Sequence, residues 1–486
     1  MGDPAYRTAS ELCGLLRRGE LKSRELLELQ LERVAKHDPQ INAVVTLDAA
    51  GARARADAAD QALANGGAAL GPLHGLPITI KDSFETEGIR TTCGAPELAQ
   101  HVPTRDAIAV ARLRSAGAIV FGKTNTPFMT SDWQSYNEVF GTTRNPWNLD
   151  RTPGGSSGGA AAAVAAGFTA LELGSDIGGS IRVPSHWSGV FGHKPSYGII
   201  PQRGHIPPLP GSFAETDLNV HGPIARSVED LELALGVLAG ANDLESTGWR
   251  LELPPPRRAS LPEYRIAAWL DDADFPVDAE VKRVHAEAIE KLRSAGAKVD
   301  DRARPKFGLR EVSRIYQWLL MPVMASSVPP VALESLRQLV ANAAPDDDSE
   351  LIFTARTTTA NHHDWMAAHE QREKLRATFA EFFAVYDALL LPVNSVAAIP
   401  HDRETPFPLR TITVNDAKLP YTDLFGWIAP VTMCKLPATV VPAGRTRENL
   451  PIGLQIAGPY LEDRTTLDLA KRVSSVLGGF TPPPGF

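Results

Sequence analysis

The spacing of apolar residues sorts the chain into elements before any chemistry is considered. Thr8 and Glu11 stand at capping-box spacing ahead of Leu12, Leu15 and Leu16, which recur at helical spacing and predict a first helix. Leu26, Leu27, Leu29, Leu31 and Val34 predict a second, capped by Ser23 and ending before Asp38-Pro39. From Pro72 the period shortens. Leu76-Pro77-Ile78-Thr79-Ile80, bounded by Gly75, reads as a strand that delivers Lys81 at its end. A helical stretch over 105–116 and a buried strand over 118–122 follow, the alternation of an α/β core. That alternation returns near the end of the chain, with strands at 438–441 and 453–456 and an amphipathic helix over 463–477.

Between 240 and 385 the pattern differs. The proline-rich LELPPPRRASLPEY gives way to helical periodicity around 277–296, 309–324, 331–343 and 364–385, which reads as a helical insertion beside the core. No 20–50 residue repeat is apparent, which argues against a solenoid or propeller. The expected organisation is one domain over 1–486. Within it, 1–70 holds N-terminal helices, 71–235 the core, 240–385 the variable, mainly helical insertion, and 386–486 a return to the core.

Composition narrows the class. A chain of 486 residues with 43% apolar content can bury a large core. A net charge of -8 without a basic run speaks against nucleic acid or an anionic membrane as partner. The three cysteines, Cys13, Cys93 and Cys434, have neither CxxC nor metal-ligand spacing and fit a reducing compartment. Residues 1–20 lack the apolar centre of a signal peptide and no stretch reads as a membrane span, so a soluble, cytoplasmic protein is expected.

The chemistry concentrates in two glycine-serine stretches, Pro153-Gly154-Gly155-Ser156-Ser157-Gly158-Gly159 and Gly174-Ser175-Asp176-Ile177-Gly178-Gly179-Ser180-Ile181-Arg182. Glycine admits backbone conformations and close approaches that a side chain blocks, and a serine on such a turn can stand beside inward-pointing amides. Acyl transfer needs that arrangement, because negative charge develops on the carbonyl oxygen. A single such stretch would read as a flexible linker, but two flanking an alanine-rich apolar segment do not. Gly154 to Gly158 satisfies G-x-S-x-G, yet Asn148 to Pro153 makes a poor strand and no histidine sits in a pattern marking it as a triad base; His193 reads as structural. Gly117 to Thr124 matches the P-loop pattern letter for letter, but a strand, Ala118-Ile119-Val120-Phe121, occupies the place of the phosphate loop.

These stretches resemble the amidase signature family. Gly75 to Asp82, Gly122-Lys123-Thr124-Asn125, Gly154 to Gly159, Asp176 to Pro184, Gly192-His193-Lys194-Pro195 and Leu436-Pro437 to Gln455 fall in the family's order and spacing, with the likeness weakest over 240–385. The resemblance implies a large mixed central β-sheet covered by helices on both faces. It implies Ser180 as nucleophile, Ser156 as a bridging serine in a cis peptide, Lys81 as base, and an oxyanion hole from the amides of Ile177, Gly178, Gly179 and Ser180. It implies no cofactor and no metal. By position Met129 and Thr130 follow a family segment that lines the acyl pocket, and a methionine there reads equally as ordinary core. Ala160, Ser175, His193 and Ser185-His186-Trp187 depart from the family's usual residues and bear on substrate shape.

The chemistry is coherent without histidine. Lysine is a base only when neutral, and bringing one from about 10.4 to about 7 costs about 5 kcal/mol, which burial can supply. The expected reaction is hydrolysis of a neutral, apolar or aryl amide through an acyl-enzyme on Ser180. Carbamate or ester hydrolysis by the same three residues is one alternative, and a glutamine-hydrolysing subunit of a tRNA-dependent amidotransferase another. A catalytically dead binding module is a third. Expected partners are small-molecule substrates, with the chain a monomer or homodimer. Tyr316, Trp318, Met321, Met324 and Trp365 could either wall a pocket or form plain helical core.

Overall fold

The computed structural model describes residues 4–66 and 70–486, so residues 1–3 and 67–69 of the expected N-terminal segment lie outside the described residues. The centre is an eight-stranded mixed sheet. Its order is Lys298–Asp300, Arg265–Ala268, Ala388–Pro392, Pro451–Ala457, Ala438–Arg445, Phe191–Lys194, Val220–Ala225 and Leu171–Asp176. The first three run parallel and every later neighbour pair is antiparallel. Leu171–Asp176, Val220–Ala225 and Pro451–Ala457 are buried at every position. A strand with no exposed face needs cover on both sides, which helices such as Arg182–Ser188, Ala279–Ser294 and Asp463–Leu477 provide.

A three-stranded sheet of Val44–Leu47, Ile119–Thr124 and Pro77–Lys81 stands beside it. Pro77–Lys81 runs parallel to Ile119–Thr124, with Lys81 opposite Thr124. It also packs on Leu171–Asp176, where the Thr79 amide donates to Thr169 Oγ1 at 3.4 Å. The end of the lysine strand is thereby brought to the Ser175–Ser180 turn.

Local expectations fare unevenly. The Thr8–Glu11 capping box is present, and the C-terminal helix spans Asp463–Leu477. Helix Ser23–Ile41 differs: it is not capped by Ser23 and runs through Pro39. Asp60, from helix Ala49–Ala64, takes the Ser23 and Arg24 amides instead, at 2.7 and 3.1 Å, a tertiary cap that no local pattern encodes. At the other end the Asp38 carboxylate accepts from the Ala43 and Val44 amides at 2.7 and 3.1 Å, securing the turn after the proline. Gly122, Lys123 and Thr124 lie inside a strand, and the buried Lys123 amine is spent on the Phe84 carbonyl and the Thr86 and Thr91 hydroxyls. No phosphate cradle exists there. The 240–385 segment supplies the expected helices Leu309–Met324, Pro330–Asn342 and His362–Val385, but its first part also donates two strands to the large sheet. A further helix, Glu350–Thr358, had no clear periodic signal.

Candidate active site

Lys81 is fully buried, and its Nζ lies 2.7 Å from Ser156 Oγ and 2.9 Å from Ser175 Oγ. Burial pushes its amine down to about 7, partly opposed by the buried carboxyl groups of Asp176 and Glu172. A lysine so placed is half neutral near pH 7, and its lone pair can take a proton from a hydroxyl at hydrogen-bond distance.

Ser156 follows a cis Gly155–Ser156 peptide and precedes helix Gly158–Ala165, which is buried throughout. Small residues are required here by contact. A Cβ on Gly159 would stand 2.4 Å from Asn125 N and 2.6 Å from Asn125 O. The Ser157 amide donates to the Ser180 carbonyl at 3.2 Å, which ties the two serine turns together.

Ser180 opens onto a cavity just ahead of helix Arg182–Ser188. Its turn is fixed by Asp176, which accepts from the Gly179, Ile181 and Arg182 amides and pairs with the Arg182 guanidinium, Nε at 3.0 Å and Nη2 at 2.9 Å. Burial alone would raise the Asp176 carboxyl, but that guanidinium holds it at about 2, so it stays charged. Gly179 has φ +93, a conformation a side chain would strain. Its amide is engaged by Asp176 at 2.9 Å. Among the described residues, the amides of Ile177, Gly178 and Ser180 have no hydrogen-bond acceptor, which leaves these three as the open donors of the turn. Trp133 Nε1, from the cavity wall, donates to the Gly178 carbonyl at 2.7 Å, and the hydroxyl of Tyr316, which does not line the cavity, donates to the Ile177 carbonyl at 2.6 Å.

The cavity is about 980 Å³, ample for a drug-sized molecule. Trp133, Phe407, Tyr421 and Phe425 form one aromatic cluster on its wall, with Trp133 and Phe425 edge to face at 4.5 Å and Trp133 and Phe407 stacked at 6.0 Å. Leu320, Met321, Met324, Leu336 and Leu351 of the insertion close the other side. Asp132 and Arg410 also line it but are bonded to each other, Arg410 additionally to Tyr136 and Asp132 to Tyr421.

Lys81 and Ser156 thus meet side chain to side chain, and the Ser157 amide ties their site to the turn that carries Ile177, Gly178, Gly179 and Ser180. Met129 and Thr130 both have positive φ but diverge: Thr130 lines the cavity, whereas Met129 packs into a small cluster with Cys93, Ala95 and Ile206. Of the insertion residues, Met321 and Met324 reach the cavity, Tyr316 stands behind it, Trp318 packs on Phe353, and Trp365 packs between His362 and His369. His193 is structural, its ring nitrogens bonded to Thr439 and Asp463. Sequence reasoning missed His205, whose Nε2 lies 3.0 Å from Ser175 Oγ and 3.1 Å from Ser83 Oγ, and the Trp133 cluster. Nothing local marks either. Among the described residues, no group of three or more His, Cys, Asp or Glu is placed to hold a metal ion, and no helix is long and apolar enough to cross a membrane.

The chain belongs to the amidase family, whose profile matches residues 25–467, and it is an amidase signature enzyme, a hydrolase of carbon–nitrogen bonds. It is 34% identical to a glutamyl-tRNA(Gln) amidotransferase subunit of Roseiflexus sp. (strain RS-1), over 98% of each chain. Among solved structures, a bacterial aryl acylamidase of the amidase signature family is 25% identical with a TM-score of 0.81, covering 98% of this chain and 97% of that one. A 6-aminohexanoate cyclic dimer hydrolase is 26% identical with a TM-score of 0.79 and covers 98% of both.

Proposed function

We propose that this chain hydrolyses a neutral amide with an apolar or aryl part, through an acyl-enzyme on Ser180. Lys81 acts as the base and Ser156 carries the proton between Lys81 and Ser180. In the first step the Ser180 oxygen bonds to the amide carbon as its proton passes by Ser156 to Lys81. The same path then returns a proton to the departing nitrogen, and the C–N bond breaks. Water repeats the sequence to release the acid. The open amides of Ile177, Gly178 and Ser180 receive the charge that develops on the carbonyl oxygen.

One observation carries this reading: a fully buried amine, lowered to about 7, at 2.7 Å from Ser156. The aromatic cluster beside the Ser180 turn supports an apolar or aryl group in the substrate. Carbamates and esters of the same shape fit the same site and chemistry.

A second reading, the glutamine-hydrolysing subunit of a tRNA-dependent amidotransferase within a complex, is favoured by the 34% identity to the Roseiflexus protein over nearly the whole chain. Glutamine carries an ammonium and a carboxylate, however. Beside the aromatic cluster Asp132 and Arg410 neutralise each other, while Glu97, Glu138, Glu350 and Arg403 are the other charged residues that line the cavity. Rates on an anilide, an aliphatic amide, a carbamate, an ester and glutamine decide between the readings. The main one expects kcat/KM highest on the anilide or carbamate, and a preference for glutamine would overturn it.

A further inference from the structure

We infer that Tyr316, on the insertion helix Leu309–Met324, is a positioning residue for the oxyanion site: by holding the Ile177 carbonyl from behind, its hydroxyl aims the Gly178 amide into the cavity. The inference rests on the reading that Ser180 is the nucleophile. A trans peptide is planar, with its C=O and N–H pointing in opposite directions, and the Ile177–Gly178 bond is not among the cis bonds of the chain. The Ile177 carbonyl and the Gly178 N–H belong to that one plane, so fixing the first orients the second.

Tyr316 is fully buried and does not line the cavity, whereas Ile177, Gly178 and Ser180 do. Its hydroxyl is 2.6 Å from the Ile177 oxygen. The pull therefore comes from outside the cavity and turns the amide inward. The neighbouring plane supplies the contrast. Trp133 holds the Gly178 carbonyl at 2.7 Å, but the N–H of that plane, on Gly179, is already given to Asp176. Of the two clamped planes, only the one Tyr316 holds has an amide without an acceptor. Ile177 is also the single residue between Thr152 and Lys194 that is not buried.

The test is Tyr316→Phe, which removes one oxygen and keeps the ring packed on Phe425. With active sites counted by fluorophosphonate labelling, kcat on an anilide is expected to fall about tenfold while KM stays within about twofold. That is less than the 10²–10³ of a donor removed outright, because the donor is misaimed and not lost. Affinity for an aryl trifluoromethyl ketone, which forms the tetrahedral adduct, should fall by the same factor, and affinity for the unreactive carboxylic acid product should not change. Unaltered kcat, or equal losses of ketone and acid affinity, would overturn the inference. Turnover that survives Ser180→Ala would instead remove the reading beneath it.

Discussion

From Thr152 to Lys194 every residue except Ile177 is buried, whereas helix Pro330–Asn342 of the insertion buries none of its own. Both regions face the same cavity, the first through Ser180 and Ile177, the second through Leu336. The contrast separates two tasks. Proton transfer tolerates little displacement, so its groups sit where backbone, glycines and the Asp176–Arg182 pair leave no room to move. Shape selection needs only apolar surface of roughly the right outline, and half-exposed side chains can be exchanged without disturbing the core.

That division can be broken most directly at Ser180. Ser180→Ala should lower turnover by about six powers of ten with an unchanged circular dichroism spectrum; residual activity well above background would move the nucleophile elsewhere. Lys81→Ala comes next, with a loss of about three to four powers of ten in kcat/KM. Below about 7 the amine is protonated and cannot accept a proton, so wild-type kcat/KM should rise with pH through about 7 and then level off. The Lys81→Ala profile should lack that limb, and a wild-type profile flat from pH 5 to 9 would contradict the assignment.

Stability sharpens the contrast further. Gly159→Ala, whose Cβ would meet the Asn125 backbone at 2.4 Å, should destabilise by about 3 kcal/mol in urea titration. Met324→Ala on the cavity side of the insertion should shift the anilide-to-aliphatic preference in kcat/KM by about tenfold with little change in the pH profile. Smallest of all, Val331→Ser, at a position 80% exposed, should leave the unfolding midpoint within about 0.5 kcal/mol of wild type.

The signature stretch was legible because its constraints are local: glycines needed by contact or by φ lie next in the chain to the serines they frame. The lysine strand was legible for a similar reason, since a short β-branched run ending at Lys81 has few alternatives. The strands Arg265–Ala268 and Lys298–Asp300 were not seen, because three or four residues carry too little periodicity to stand out among helices. The Asp60 cap on Ser23 and Arg24, 37 and 36 residues away, lies equally beyond any local pattern.

By itself the sequence determined the family, the α/β core and the strand that ends at Lys81, since residue type and short-range spacing encode strand, turn and reactive group. Tertiary structure alone decided the rest. It buried Lys81 deeply enough to lower its amine, left the Gly178 amide open while committing Gly179 to Asp176, placed His205 against Ser175, and gathered Trp133, Phe407, Tyr421 and Phe425 beside Ser180. Desolvation and contact are properties of what surrounds a group in space, and those neighbours come from segments up to nearly three hundred residues apart.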